Sequence, residues 1–385
     1  GGYETIGFNA LGKNVITVGA VNDAVSGGLR DPSKATMTGF SSWGPADDGR
    51  IKPDIVANGS GLYSTYTGGD TLYATLSGTS MATPNAAGTA QQLVSYHAAL
   101  FPGQYMRAAT LKGLLIHTAD DLGTPGPDYA NGWGLVNARA AADLLAEAAT
   151  NAAAPRLAEQ TLATGAPVGL HSFYCGGITP IRVTLSWTDP PGAATSEHDL
   201  RTPRLVNNLN LKVVGPDGSR HFPYVMPFVG DWTAASMSAA AARGTNNTDN
   251  VEQVYIAAPP AAGTYQAVVS FSGTLLNNLQ PYSLLVTGSE PPPPMPLSVT
   301  PDEAAAGVTA LTVTGTGFAP GAAVAFFRSG QADAAASVTG VTATAVYCTL
   351  DVSALAKGTW GVRVTNPDGR RGTAPDSFTV ASTLA

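Results

Sequence analysis

The chain has 385 residues, enough for two or three domains, and a formal net charge of −7 with a pI near 5.2. Hydrophobic residues make up 44% and charged residues 12%, with 44 glycines and 28 prolines, which excludes disorder and disfavours helical bundles. The acidic balance gives no electrostatic footprint for nucleic acid or membrane, and no apolar run reaches the roughly 18 residues of a membrane helix.

Strands and helices alternate in the first 150 residues. Residues 13–21 (KNVITVGAV) are apolar and β-branched, which predicts a buried strand, and residues 51–57 (IKPDIVA) predict another extended segment. The spacing of apolar residues predicts helices over residues 80–97, 107–119 and 136–149. This alternation favours an α/β layer fold with a parallel sheet over residues 1–150.

Beyond residue 150 the apolar residues alternate with period two. The strands predicted there include residues 181–187, 209–214 and 263–269. We expect no helix in residues 151–289, and a turn at residues 216–218 (PDG), so this segment should form an antiparallel sandwich or barrel-like domain.

Four consecutive prolines make residues 290–296 a predicted stiff spacer, and residues 297–385 again predict strands and turns. Cys175 and Cys348 are the two cysteines, and they fall in different predicted domains. We therefore expect two buried thiols rather than a disulfide.

The strongest chemical signal is the run GTSMATP at residues 78–84, followed by small residues. Gly78 and Thr79 form a small-residue turn that places Ser80 at the start of an apolar helix. Free backbone N–H groups and the positive end of the helix dipole could stabilise an oxyanion there. Pro84 should lie in about the first turn, where a missing N–H does little harm.

This run resembles the nucleophile motif of the subtilases, a family of serine proteases. Further stretches match the framework of that family in the same order, namely residues 16–21 (ITVGAV), 40–45 (FSSWGP), 52–57 (KPDIVA) and 132–138 (GWGLVNA). The resemblance implies that Ser80 attacks the scissile carbonyl, with support from Gly78 and Thr79. The Gly-x-Ser-x-Gly elbow of α/β-hydrolases is disfavoured, because Ala82 stands where its second glycine belongs.

The partners that such a serine needs are missing from the motif-bearing segment. In subtilases an Asp, a His and an oxyanion Asn precede the strand matched by residues 16–21, and the roughly fifteen residues before it hold no His or Asp. Asn9 and Asn14 lack the small-residue surroundings of the oxyanion Asn, so neither is assigned that role. We predict that this chain lacks the N-terminal half of the catalytic domain and is not proteolytically active alone.

None of the five histidines is a good substitute for the base. His97 lies 17 residues beyond Ser80 on the same predicted helix, roughly 25 Å away at 1.5 Å per residue. His117 ends the second predicted helix, at a position with a structural role in the family. The remaining three are expected to be surface or hydrogen-bonded side chains, namely His171, His198 and His221.

The two later segments resemble accessory modules. Residues 151–289 are similar to the jelly-roll or P-domain-like β-domain of some subtilases, through residues 183–189 (VTLSWTD), 205–211 (LVNNLNL) and 250–254 (NVEQV). Residues 297–385 resemble an immunoglobulin-like IPT/TIG domain, through residues 311–321 (LTVTGTGFAPG) and 362–369 (VRVTNPDG). Phe318 should anchor this last domain, and Trp360 is expected to be a core aromatic rather than a binding one.

No metal site or required cofactor is predicted. Relatives of the middle segment tend to carry Asp where this chain has Asn208 and Asn210, and sometimes bind calcium there. An Asn keeps the carbonyl oxygen and loses the charge that a hard cation favours, so ordinary turn residues are the preferred interpretation and calcium is the alternative.

Two functions stay open. The first is a serine endopeptidase acting on proteins or peptides through an acyl-enzyme on Ser80. The second is a non-catalytic scaffold or surface-binding module of subtilase origin. The intact motif favours the first, although Asn58 replaces a proline usual in the family after the run at residues 52–57. The resemblance also implies a secreted or cell-surface location.

Overall fold

The computed structural model describes residues 2–151, 154–194, 197, 200–227 and 233–382. The chain divides into two compact units, residues 1–290 and residues 291–385. No helix of the described residues is long and apolar enough to cross a membrane.

The first 150 residues combine short strands with three helices. The strands are β1 (Val18–Val21), β2 (Val25–Ser26), β3 (Leu29–Arg30), β4 (Ile55–Asn58), β5 (Leu62–Thr65) and β6 (Tyr73–Leu76). The helices are α1 (Thr79–Leu100), α2 (Ala108–His117) and α3 (Ala138–Thr150). Strands β1 and β4 pair in parallel, while β2–β3 and β5–β6 form hairpins. The predicted parallel pairing and all three predicted helices are confirmed.

The predicted strand at residues 13–21 is shorter in the structure, because its first part has other partners. Asn14 bonds with Asp189 through its side chain, and the N–H of Thr17 donates to the Asp54 carboxylate over 2.7 Å. The ladder with β4 therefore begins at Val18. At Asn14 and at the N–H of Thr17, side-chain hydrogen bonds to distant segments take the place of strand pairing.

The segment after residue 154 is a sandwich of two four-stranded antiparallel sheets. Its strands are β7 (Leu157–Ala163), β8 (Gly169–Cys175), β9 (Ile181–Ser186), β10 (Asn208–Val214), β11 (Arg220–His221), β12 (Tyr224–Val225), β13 (Ala242–Arg243), β14 (Val251–Ile256), β15 (Gly263–Ser272) and β16 (Leu279–Thr287). The sheet orders are β14–β9–β16–β7 and β11–β10–β15–β8. The expectation of no helix is wrong at one turn, α4 (Ala234–Met237), which Thr233 and Ser236 hold through a capping box.

One apolar core extends through both segments of the first unit. It joins Ile55 and Leu114 of the first 150 residues with Tyr224, Val251 and Leu285 of the sandwich, all buried. A second core lies between the two sheets of the sandwich. Helix α2 is buried on nearly all sides because β9 and β16 pack against it.

The second unit is all-β, as predicted. Its strands are β17 (Met295–Thr300), β18 (Glu303–Ala304), β19 (Val308–Thr316), β20 (Ala323–Phe327), β21 (Ala334–Val341), β22 (Ala345–Asp351), β23 (Gly358–Thr365) and β24 (Arg371–Val380). Strand β17 begins within the predicted spacer. Trp360 and Phe318 are buried in the core, as expected. Cys175 and Cys348 are both free and buried, which confirms the predicted thiols.

Candidate functional site

Ser80 occupies the first turn of α1, where its side chain is exposed. Gly78 is the N-cap residue and Thr79 the first helical residue. The N–H of Gly78 donates to the carbonyl of Gly59 over 2.7 Å, and the N–H groups of Met81 and Ala82 donate to the carbonyl of Gly78. These bonds fix the start of α1 against the chain that follows β4, so the direction of the Ser80 side chain is set by the fold.

The start of α1 is suited to negative charge. Neither Thr79 nor Ser80 donates its backbone N–H to any described residue, and the first turn carries no acidic side chain. Unpaired N–H groups and the helix dipole favour an oxyanion at such an end. Gly78 and Thr79 form the backbone at this helix end.

Pro84 lies deeper in α1 than expected. It is the sixth residue of the helix, in the second turn rather than the first. Its missing N–H would otherwise bond to the carbonyl of Ser80, so the helix lacks one internal hydrogen bond at Ser80. Ala82 and Ala86 of this run are buried, whereas Ala87 is exposed.

The Ser80 hydroxyl makes no hydrogen bond with any described residue. His97 lies near the far end of the same helix and stacks on Phe101, with ring centroids 4.7 Å apart. His117 is buried, and its ring bonds to Thr184 and Thr287.

Of the other histidines, His171 bonds to the Tyr282 hydroxyl and His221 to Ser219. His198 lies outside the described residues. The sequence thus placed His97 and His117 correctly on their helices, and the described histidines are engaged elsewhere.

The other motif runs of the first segment contact one another. The Ser41 hydroxyl accepts the N–H of Ala20 over 3.0 Å, which holds residues 40–45 against β1. Gly132 and Gly134 have positive φ of 61° and 117°, and they lie against the backbone of Asp54 and Asp120, respectively. A Cβ at Gly134 would lie 2.1 Å from the carbonyl oxygen of Asp120, so this position requires glycine.

Asn58 stands at a turn position where the subtilases usually have proline. Its side-chain oxygen accepts the N–H of Ser60 over 3.0 Å. An Asn side chain that bonds two residues ahead stabilises a turn without the fixed φ of proline. The departure therefore changes how the turn is held and leaves Gly59 free to meet Gly78.

A buried ion cluster lies at the start of β4. Asp54 is paired with Lys52 over 2.6 Å and with Lys112 of α2 over 2.9 Å, and all three side chains are almost fully buried. Burial lowers the pKa of Lys52 to about 8, against the opposing attraction of Asp54. The sequence predicts only that residues 52–57 belong to the framework, because Lys112, the partner of Asp54 on α2, lies 58 residues further along the chain.

The junction with the sandwich is also polar. The Lys13 ammonium pairs with Asp189, and it donates to the carbonyl oxygens of Pro190 and Arg204. The buried Asp249 carboxylate accepts the N–H of Ile51 over 2.8 Å. Burial raises the pKa of Asp249 to about 6. These contacts fasten the sandwich to the segment that carries Ser80.

The two candidate calcium ligands lie on β10. The Asn208 amide donates to Asn247, and the Asn210 amide donates to Ser272 over 3.0 Å. The Asn208 side-chain oxygen is buried without a partner among the described residues. No group of three or more His, Cys, Asp or Glu residues within the described chain could hold a metal ion. The pair therefore offers neutral oxygens, of which one is unsatisfied.

Comparison with known proteins finds similarity in the first segment. Residues 1–134 match the model of the Subtilase family. Subtilisin DY of Bacillus licheniformis is 34% identical over 142 residues, which cover 37% of this chain and 42% of that protein. Serine protease AprX of Bacillus subtilis (strain 168) is 34% identical over 113 residues, 26% of this chain and 25% of that protein.

Among solved structures, the patellamide maturation protease PatA is 27% identical, with a TM-score of 0.29, over 36% of this chain and 45% of that one. The chain spans less than half the length of each of these proteins. The sequence matches support a subtilase-like N-terminal region and a protease family.

Proposed function

We propose that this chain carries the nucleophile of a serine endopeptidase and that Ser80 is that nucleophile. The observation that carries the proposal is the exposed Ser80 hydroxyl on the first turn of a 22-residue helix, beside unpaired backbone N–H groups. The match of residues 1–134 to the Subtilase family supports it.

The proposed chemistry is acyl transfer. The Ser80 oxygen bonds to the carbonyl carbon of the scissile peptide and gives its proton to a base. The carbon–nitrogen bond then breaks, the base protonates the leaving amine, and water later releases the acyl group from Ser80. The helix N-terminus stabilises the oxyanion formed in each half of the reaction.

We further propose that the base, its orienting carboxylate and the oxyanion Asn come from a segment upstream of residue 1. No described residue bonds to the Ser80 hydroxyl, so none of them makes the activating contact that a triad needs. On this view the 385-residue chain is inactive alone and becomes active when joined to that segment, with proteins or peptides as substrates.

The two β-rich parts have supporting roles in this proposal. Residues 151–289 act as a jelly-roll-like accessory domain that stabilises the catalytic segment, supported by the shared core and the Lys13–Asp189 pair. Residues 297–385 act as an immunoglobulin-like IPT/TIG module that spaces or docks the enzyme. We propose a secreted or cell-surface location for the whole protein.

A fluorophosphonate probe tests the assignment. The chain alone should remain unlabelled, and the protein extended by its upstream coding sequence should be labelled at Ser80. Ser80→Ala should abolish labelling of the extended protein, whereas Ser77→Ala, three residues away and bonded to the Gly61 N–H, should retain it. Stoichiometric labelling of the chain alone would contradict the inactivity, and an unlabelled extended protein would favour the non-catalytic scaffold.

A further inference from the structure

A cavity of about 130 Å³ lies where the first segment meets the sandwich, within the first unit. It is remote in sequence from the Ser80 motif and plays no part in the proposed proteolysis. Its lining includes three aromatic side chains, Trp133, Tyr224 and Tyr255, and three polar ones, Asp121, Arg182 and Gln253. Aromatic walls with a few convergent polar groups are typical of small-molecule sites.

Arg182 brings a positive charge to this cavity. Its guanidinium donates to the carbonyl of His117 over 2.6 Å and lies 5.4 Å from the centre of the Tyr255 ring. It forms no ion pair with any described residue. A guanidinium has five N–H donors in a fork that fits a carboxylate, so most of its capacity is unused.

Asp121 brings a negative charge to the same cavity. One of its carboxylate oxygens accepts the N–H of Gly126 over 2.8 Å, and it has no ion pair among the described residues. Asp121 is exposed to solvent as a residue, and the partial desolvation of its carboxylate raises its pKa, although Arg182 opposes that effect. The two charges are therefore close enough to influence each other but do not form a direct pair.

The neighbouring charges are already satisfied. Asp121 and Arg182 also line a groove of about 540 Å³, which shares these residues and Ala119 with the cavity. The other carboxylates of that groove each have an arginine partner. The pairs are Arg30–Asp120, Arg139–Asp143 and Arg156–Glu147. Among the charged side chains that line the cavity or the groove, Asp121 and Arg182 are the two that lack an ion pair within the described residues.

The remaining walls complete a site for a small ligand. Gln253 is 6% exposed, and its amide nitrogen donates to Thr184 over 3.0 Å, which leaves its oxygen as a free acceptor. Arg243 covers one face of the Tyr224 ring, 3.4 Å from its centre. A Cβ at Gly126 would lie 2.5 Å from that ring, so glycine is needed to keep Tyr224 in place.

We propose that this cavity binds a small zwitterion, a free α-amino acid of about the size of alanine or serine. The Arg182 guanidinium binds its carboxylate, and Asp121 with the Gln253 oxygen binds its ammonium group. A cavity near 150 Å³ accommodates benzene, which has about six non-hydrogen atoms, and alanine also has about six. A ligand with both charges satisfies Asp121 and Arg182 together, which neither a simple anion nor a simple cation does.

Calorimetric titration of the full chain tests this site with alanine, propionate and ethylamine. Alanine should bind saturably with one site per chain, at least tenfold more tightly than either half-ligand. This comparison needs no variant. Absence of alanine binding at tens of millimolar, or propionate binding as tightly as alanine, would overturn the proposal.

Variants then assign the ammonium pocket. Asp121→Asn keeps an acceptor for Gly126 and should weaken alanine at least tenfold while leaving propionate within twofold. Asp143→Asn, which removes a carboxylate of the adjacent groove, should change neither. Equal loss of alanine and propionate in Asp121→Asn, with circular dichroism unchanged, would contradict the assigned orientation.

Discussion

The buried ion cluster around Asp54 permits a sharp test of how the Ser80-bearing segment is held together. Asp54→Asn keeps the size of the side chain and an oxygen that can accept the N–H of Thr17. It removes the charge that faces Lys52 and Lys112, whose side chains are 2% and 6% exposed. Removing one member of a buried ion pair costs about 3–5 kcal/mol, because the other member stays buried and unpaired.

The cost should also depend on pH. Burial lowers the pKa of Lys52 to about 8 even though Asp54 opposes that effect, so the variant lowers it further. Between pH 6 and 8 the folded variant then lacks a proton that its unfolded state binds, and its stability rises with pH. Wild-type stability is nearly independent of pH for this group from pH 6 to 7 and begins to rise near pH 8. The stability difference between the two proteins should therefore narrow by up to about 1.4 kcal/mol per pH unit, most steeply from pH 6 to 7.

Hydrogen–deuterium exchange of peptides that cover β1 and β4 measures the free energy of opening in the full chain. We expect a loss of about 3–5 kcal/mol at pH 6 for Asp54→Asn. Asp143→Asn, whose side chain is 54% exposed and paired with Arg139, should change it by less than about 0.5 kcal/mol. A loss below about 1 kcal/mol for Asp54→Asn, or a gap that stays constant from pH 6 to 8, would refute the reasoning.

Three further outcomes are expected. Trp360→Ala should lower the unfolding free energy of the second unit by about 3–5 kcal/mol in a urea titration, because the indole is buried, and a loss under 1 kcal/mol would contradict its core role. Asp249 has a pKa raised to about 6, so its contribution to stability should be lost as pH rises from 4 to 6, by up to about 1.4 kcal/mol per unit relative to Asp249→Asn. A stability difference between wild type and Asp249→Asn that does not change with pH would contradict the raised pKa of Asp249. Chelation of calcium should leave the melting temperature unchanged, because Asn208 and Asn210 offer no charge, and a clear decrease would establish a calcium site.

Local features of the first segment were predictable from the sequence. The start of α1 at Thr79 and the exposure of Ser80 follow from a small-residue turn before an apolar run, within a dozen consecutive residues. The ends of α2 and α3 also lie within two residues of the predictions. These properties depend on neighbours in the chain, which the sequence displays directly.

Features that depend on distant contacts were not predictable. Val94 belongs to the apolar pattern of α1 and yet is 37% exposed. Periodicity shows which residues share a helix face, but not which part of that face packs against another element. The pairing of Asp54 with Lys112 and the meeting of Asp121 with Arg182 join residues about 60 positions apart. No spacing rule connects such residues in the sequence. Their contacts are seen only in the folded structure, where β9 packs against α2.

The apolar core that joins Ile55 and Leu114 to Tyr224, Val251 and Leu285 has a consequence for recombination between genes. A crossover near residue 150 would separate residues that fill one interior, and each product would expose half of it to water. A crossover just after residue 290 would leave that interior intact. The sandwich should therefore be inherited together with the segment that bears Ser80, whereas the strands from Met295 onward can be exchanged as a cassette.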